Sequence, residues 1–324
     1  MAEFRTYTAI GQREDLSNTI YSIAPTETPV VSSIGKTKAT ATYHEWQTDT
    51  LAAAVKTGLL EGADAGAASA TATVRVGNRT QIQGKTVHVS GTLDAVDKAG
   101  RKTETAYQLA KAGQELKRDM ENTILGNVAQ NAGNASTARL LGSIQTWLLT
   151  NFVTEGTGGS PAGAVGGNGT ATRTSAGSGN YGAFAEDKLK ECVKKVFESG
   201  GNPTLLVVPP TQKQVVSTFT GIAAQRYQAP TDKQTTIIGA ADVYLSDFGT
   251  LSVVPDRFMT ADTTPDAEQA LVLDPTMASV ATLRPFESNL LAKTGDSEKH
   301  QMLVEYTLQV SNEKAHGIVA DLAV

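Results

Sequence analysis

Residues Phe4 to Trp46 constrain this chain more than any other stretch. Glu14 to Ile23 reads as a short amphipathic helix with Leu16, Ile20 and Ile23 on one face. Pro25 ends it and Pro29 keeps the following chain extended. Thr37 to Leu51, rich in Thr, Tyr, Ala and Trp, then reads as a strand. Nothing in this stretch can bury it against its own sequence neighbours. An N-terminal segment of this kind is an arm, and its natural partner is another subunit.

The rest of the chain must therefore supply a body. With 324 residues there is room for one large or two small domains. A content of 40% hydrophobic and 19% charged residues fits a globular protein, while only 6% are aromatic. Thr and small residues replace bulky ones, which favours sheet and extended surface. The formal charge of −5 and the absence of any Lys/Arg cluster exclude the electrostatic footprint of a tight nucleic-acid binder. Cys192 is the one cysteine, so no intrachain disulfide and no cysteine-built metal cage can form. No apolar run reaches membrane-spanning length, and Glu3, Arg5 and Arg13-Glu14-Asp15 interrupt any signal-peptide pattern. The expected compartment is a cytoplasm.

Val74 to Ser90 reads as a second long β segment, joined to the first through Ala52 to Thr73, which is mostly Ala, Gly and Ser. The pair is a projecting hairpin with a loosely packed tip, and an isolated hairpin should lie on something. A spine helix follows from about Leu93 to Val128, with Ala106, Leu109, Gly113, Leu116, Met120 and Ile124 inward. Lys111–Glu115 and Lys117–Glu121 are i,i+4 pairs on its wet side. Thr154 to Tyr181 is Gly-rich and reads as a solvent-exposed loop whose shortening should leave folding intact.

Phe184 to Ser199 reads as a helix with Leu189, Cys192, Val193, Val196 and Phe197 inward, stopped by Gly200-Gly201. Thr204 to Val208 is a buried-type strand, and Pro209-Pro210 opens a short helix. Strands are expected at 243–245, 251–254, 270–273 and 280–283. Met302, Val304, Tyr306, Leu308 and Val310 alternate with polar residues as in a strand buried on one face. A final strand lies in 316–324. The fold class is α+β.

Catalytic and ligand motifs are absent from the sequence. The four histidines, His44, His88, His300 and His316, form no HExxH or HxH pair. His44 and His88 could face each other across the hairpin, where a packing contact or hydrogen bond is the preferred reading over metal binding. Cys192 reads as a buried small hydrophobe. There is no G-x-S-x-G, and the Gly-rich loop lacks a phosphate-cradle pattern and any lysine. No enzyme activity and no cofactor are expected. Trp147 reads as core, whereas Trp46, on the hairpin, is a candidate subunit contact.

Gln12-Arg13-Glu14-Asp15-Leu16, Pro25 and Pro29 flanking Thr28, Ile34-Gly35-Lys36 and His44-Glu45-Trp46-Gln47 occur in an order that resembles the opening block of tailed-bacteriophage major capsid proteins. The likeness continues more weakly to the C-terminus. It implies the Hong Kong 97-type (HK97-like) capsid fold: N-terminal arm 1–36, extended loop 37–92, peripheral domain 93–183 and 275–324, and axial domain 184–274. It implies self-assembly through hexamers and pentamers into a virion head that encloses double-stranded DNA without sequence-specific binding. Implied partners are a portal protein, a separate scaffolding protein and a cement or decoration protein, with assembly in the host bacterial cytoplasm. Scaffolding is expected to be separate, or already cleaved, because the chain starts at the arm.

Leu16, Ile20, His44 and Trp46 are the candidate inter-subunit contacts. Some members of the family join a loop lysine to a neighbour's asparagine. Lys56 or Lys85 with Asn289 or Asn312 would be the counterparts, although nothing in the sequence preorganises such a pair. Other readings are an encapsulin-like nanocompartment shell, which would enclose a cargo enzyme, a tail or adhesin protein, and, weakest, an enzyme.

Overall fold

The computed structural model describes residues 26–62, 64, 71–161, 168–177, 179–219, 242–259 and 269–323. The helix expected at Glu14–Ile23, and with it Leu16 and Ile20, lies outside these residues.

Two sheets organise the body. The first has four strands in the order β1–β10–β11–β4. Strand β1 is Gly35–Lys38, β4 Gln81–Ser90, β10 Ala278–Leu290 and β11 Ser297–Val310. β1 runs parallel to β10, and the other pairs are antiparallel. Pro285 falls where the β10–β11 register shifts, between Arg284 and Glu287, as expected for a residue that cannot donate to the ladder. β11 is the long strand expected from its alternation, but both its faces are buried. Val304, Tyr306 and Leu308 enter the main core. On the other face Glu305, buried as well, accepts hydrogen bonds from Arg139, Arg284 (2.8 Å) and Thr80 (2.8 Å). A buried carboxylate is tolerable with cations and donors supplied in this way.

The second sheet has six strands in the order β5–β12–β9–β6–β8–β7. They are β5 Phe152–Thr154, β6 Leu205–Val208, β7 Val243–Ser246, β8 Gly249–Pro255, β9 Gln269–Leu273 and β12 Gly317–Ala320. β6, β9 and β12 are buried along their whole length. Residues 152–154 and 317–320 thus join the sheet formed mainly by 205–273. Helix α4, Glu186–Glu198, covers one face with Leu189, Cys192, Val193 and Val196. Phe197, expected inward, is instead half exposed and stacks on Phe248 at 4.8 Å between ring centroids. α5, Pro210–Val216, starts where the proline pair places it.

The spine is shorter than its sequence pattern suggests. α2, Gly91–Ala95, ends before a non-helical stretch in which Gly100 takes φ +77°. α3 restarts at Glu104 and runs to Leu125, 22 residues, or about 33 Å. Asp94 of α2 supplies the missing cap, accepting from the Glu104 N–H at 2.8 Å. That hydrogen bond holds the Asp94 carboxyl below its ordinary range. The inward stripe is Ala112, Leu116, Met120 and Ile124, while Ala106 is exposed. Lys111 pairs with Glu115 as expected, at 3.9 Å. Glu121 does not pair with Lys117: it is fully buried.

The Gly-rich segment is not simply a solvated loop. Arg173 forms a buried ion pair with Asp321 at 2.9 Å, with both side chains all but inaccessible. Asp321 also accepts from Thr154 Oγ1 (2.7 Å) and the Ala176 N–H (2.9 Å), and it holds φ +60°. Asn127 brackets the Arg173 backbone from both sides, accepting from its N–H and donating to its carbonyl. Gly169, at φ +72°, lies so close to the Trp147 indole that a Cβ would approach it to 3.0 Å. These contacts span 22 to 167 positions in the chain.

Candidate functional site

The two segments that sequence reading assigns to subunit contact are the arm and the hairpin. Each is tied to the body at its base, and the hairpin then leaves it.

β2, Tyr43–Thr48, and β3, Val74–Arg79, form an antiparallel pair of six residues each. This is shorter than the two long strands expected, because the second β segment divides at Thr80, beyond which β4 pairs with β11. Asn78 makes the joint. Its Nδ2 donates to the Gly142 carbonyl (2.9 Å) and the Leu308 carbonyl (2.7 Å), and its Oδ1 accepts from the Gly142 N–H (2.8 Å). A fully buried amide with its donors and acceptor all engaged holds one register. Gly77 faces Tyr43 and His44 so closely that a Cβ would come within 2.7 Å of the His44 carbonyl oxygen.

His44 and Trp46 both have partners within the chain. His44 Nε2 lies 3.0 Å from Gln309 Oε1. Opposite it across the hairpin is Asn78, not His88, and His88 instead bonds Ser297 Oγ at 2.7 Å. Trp46 packs against Trp147, with ring centroids 5.3 Å apart. Such a pair contributes on the order of 1 kcal/mol beyond the area it covers. Trp147 is core, as expected.

Past Thr48 the chain departs. Residues 49–60 have no regular structure, and Leu51, Val55, Leu59 and Leu60 are 99%, 80%, 97% and 83% exposed. Single exposed leucines need no explanation, but four large apolar side chains in ten residues of extended chain do. No part of the described body covers them.

At the arm root, Pro29 opens helix α1, Pro29–Ser33. Val30 and Ile34 enter the main core. Glu121 of α3 accepts from the Val30 and Val31 N–H groups at 2.6 and 2.8 Å. β1 follows and joins β10. The sequence pattern concealed Glu121, because a Glu four positions after a Lys fits a wet helix face equally well. A carboxylate reaching the opening N–H groups of a helix 91 positions away leaves no local signature.

Chemistry of other kinds is not assembled among the described residues. No group of three or more His, Cys, Asp and Glu side chains could hold a metal ion, and no helix is long and apolar enough to cross a membrane. Burial pushes the Cys192 thiol up to about 12, far from a reactive thiolate. His316 is fully buried, and burial lowers it to about 4. Its Nδ1 accepts from the Asp274 N–H (3.2 Å) and its Nε2 faces the Met277 carbonyl (3.4 Å), so it is a neutral core group. Lys85, one of the two loop lysines, pairs with Asp119 at 2.8 Å. Asn312 caps a 3₁₀ turn, its side chain accepting from the Lys314 N–H.

Comparison with known proteins supplies the family. A major capsid protein of Escherichia phage Phieco32 is 38% identical over 128 residues. That alignment takes in 39% of this chain and 36% of the relative, well short of the relative's full length. Among solved structures, one from Gordonia phage Cozz superposes with a TM-score of 0.59, at 14% identity, over 97% of this chain and 92% of that one. A capsid structure of a native GTA particle gives 0.60 at 12% identity, over 98% and 97%. One from Mycobacterium phage Cain gives 0.58 at 12%, over 97% and 96%. At such identities these likenesses establish the fold, the HK97-like α+β capsid fold. The sequence profile of the SU10 major capsid proteins matches residues 4–323, nearly end to end, and by that match the chain belongs to the SU10 major capsid protein family.

Proposed function

We propose that this protein builds the icosahedral head of a tailed bacteriophage around its double-stranded DNA. One observation carries the reading beyond family membership: the exposed apolar run Leu51, Val55, Leu59 and Leu60 lies on chain that leaves the body. Its use is as contact surface for a second copy. The arm, residues 1–36, with Leu16 and Ile20, is the other reaching segment. His44 and Trp46 sit at the hairpin base, where they set the direction in which 37–92 extends. The remaining chain divides into peripheral segments, 93–183 and 275–324, and an axial segment, 184–274. β5 and β12 carry the peripheral segments into the axial sheet. That shared sheet lets load on one unit reach the other.

Repeated head-to-tail contacts close into pentamers and hexamers, and arms shared between rings close a shell. Each contact can be modest, because its multiplicity holds the particle together. A net charge of −5 suits a wall that encloses DNA without binding it tightly. A portal protein, a separate scaffolding protein and a decoration protein complete the assembly, which takes place in the host cytoplasm.

The test is electron microscopy and sedimentation of the purified chain. Closed shells or capsomers support the reading, and uniform monomers at high concentration refute it. Particles that fill with a protein cargo and never with DNA would make it a nanocompartment shell instead.

A further inference from the structure

The arm root is held by two acids in contact. Glu121 is fully buried, and both its oxygens are committed to α1, through the Val30 N–H at 2.6 Å and the Val31 N–H at 2.8 Å. Pro29 has no N–H, and no side chain caps α1, so these are the first two donors of that helix. Asp256, just past β8 and also fully buried, hydrogen-bonds the Glu121 carboxyl. Asp256 Oδ1 accepts from the Phe258 N–H at 2.7 Å, but Oδ2 receives no N–H or O–H donor among the described residues.

The charged groups on the packed elements are engaged elsewhere. Glu27 of the arm lies 4.0 Å from Arg257. Arg118 of α3 stacks over the Phe258 ring at 5.5 Å. Lys117 and Lys36 line the outer groove beside Thr28. Gln145, from the turn packed on α3, donates to the Leu125 carbonyl. The two carboxyls therefore meet without a cation between them. With one proton in the pair they form a short acid–carboxylate contact. Without it, two negative charges touch in a low-dielectric site.

We propose that Glu121 and Asp256 form a proton-dependent clasp: one shared proton seats the arm root on α3, and its loss in mildly alkaline solution releases Val30 and Val31. Burial first, and then the contact with Asp256, push the Glu121 carboxyl up to about 8, and burial raises Asp256 as well. The folded pair thus keeps a proton that unfolded carboxyls have already surrendered. Its stabilisation is complete below the ordinary carboxylate range and is lost as pH rises towards 8. Opening is local, because only Glu121 holds these two N–H groups and α1 is a single short turn. The clasp belongs to the single subunit, so its test does not depend on shell formation.

Hydrogen–deuterium exchange on the full chain at pH 6, 7.5 and 9, corrected for base-catalysed intrinsic rates, reads the clasp directly. In the wild type, protection of Val30 and Val31 should fall about tenfold or more between pH 6 and 9, while residues 112–124 of α3 stay protected. Asp256→Asn offers Glu121 an amide donor that does not titrate, and its protection should be flat. Constant protection in the wild type overturns the proposal. So does an equal fall in D256N, or loss of protection in α3 in step with the arm root. If D256N does not fold, the wild-type profile alone decides.

Discussion

Arg173→Met tests how firmly the Gly-rich segment is tied to the C-terminal strand. The substitution keeps most of the side-chain bulk and removes the guanidinium. Asp321 then stays buried with two of its three donors, Thr154 Oγ1 and the Ala176 N–H. Breaking a buried pair by removing one partner typically costs about 3–5 kcal/mol. The two surviving hydrogen bonds place this case at the low end, about 3 kcal/mol. The double variant Arg173→Met/Asp321→Asn removes the stranded charge, and Asn tolerates the positive φ at this position. It should recover part of the loss, with a coupling of about 1–3 kcal/mol. Urea unfolding followed by circular dichroism on the single and double variants measures both quantities. A single-variant cost below about 1 kcal/mol, or strict additivity with Asp321→Asn alone, would refute the assignment of Arg173 to the core. The same reasoning reverses the expectation drawn from composition. Replacing 155–180 by a Gly/Ser link removes Arg173 and Ala176 together and should abolish soluble expression.

Leu116→Ala should cost about 2–5 kcal/mol in denaturant unfolding, since Leu116 is fully buried beneath the four-stranded sheet; a change under about half a kcal/mol would place that face of α3 outward. His316, lowered to about 4 by burial, should make stability fall as pH drops from about 6.5 towards 4, by at most about 3 kcal/mol, because the unfolded chain binds the proton first. A His316→Gln variant that kept the same acid slope would show that other groups set it. Gly77→Val should destabilise the β2–β3 pair, detected as faster proteolysis in 49–73, because its Cβ has no room beside the His44 carbonyl; unchanged cleavage would show that the hairpin base can yield.

What could be read in the sequence and what could not divides by the range of the interaction. α4, α5, β6, the β7–β8 hairpin and β11 announced themselves through local periodicity and turn residues. Cys192 and Trp147 were placed correctly for the same reason. Glu121, Arg173 and Asp321 were missed because each is a charged residue whose partner lies far away in the chain, 91 positions for Glu121 with Val30 and 148 for Arg173 with Asp321. Composition reads such residues as solvated. The spine helix was overextended across 96–103 because no proline marks the break; a capping carboxylate, Asp94, does. Phe197 was turned inward by its helical spacing, but Phe248 on the neighbouring turn offered it a stacking partner at the surface. The family likeness was legible in the arm and hairpin, the segments with the least packing of their own, where sequence is constrained by what lies outside the subunit.

The central claim is that the body folds alone and that the hairpin tip associates. Changing Leu51, Val55, Leu59 and Leu60 together to serine removes the exposed apolar run without touching any buried residue of the described body. Sedimentation velocity of this variant beside the wild type, each with a parallel thermal melt, is the most direct measurement. The account predicts an unchanged melt and a subunit that remains small where the wild type forms capsomers or shells. Assembly indistinguishable from the wild type, or a variant that no longer folds, would contradict it.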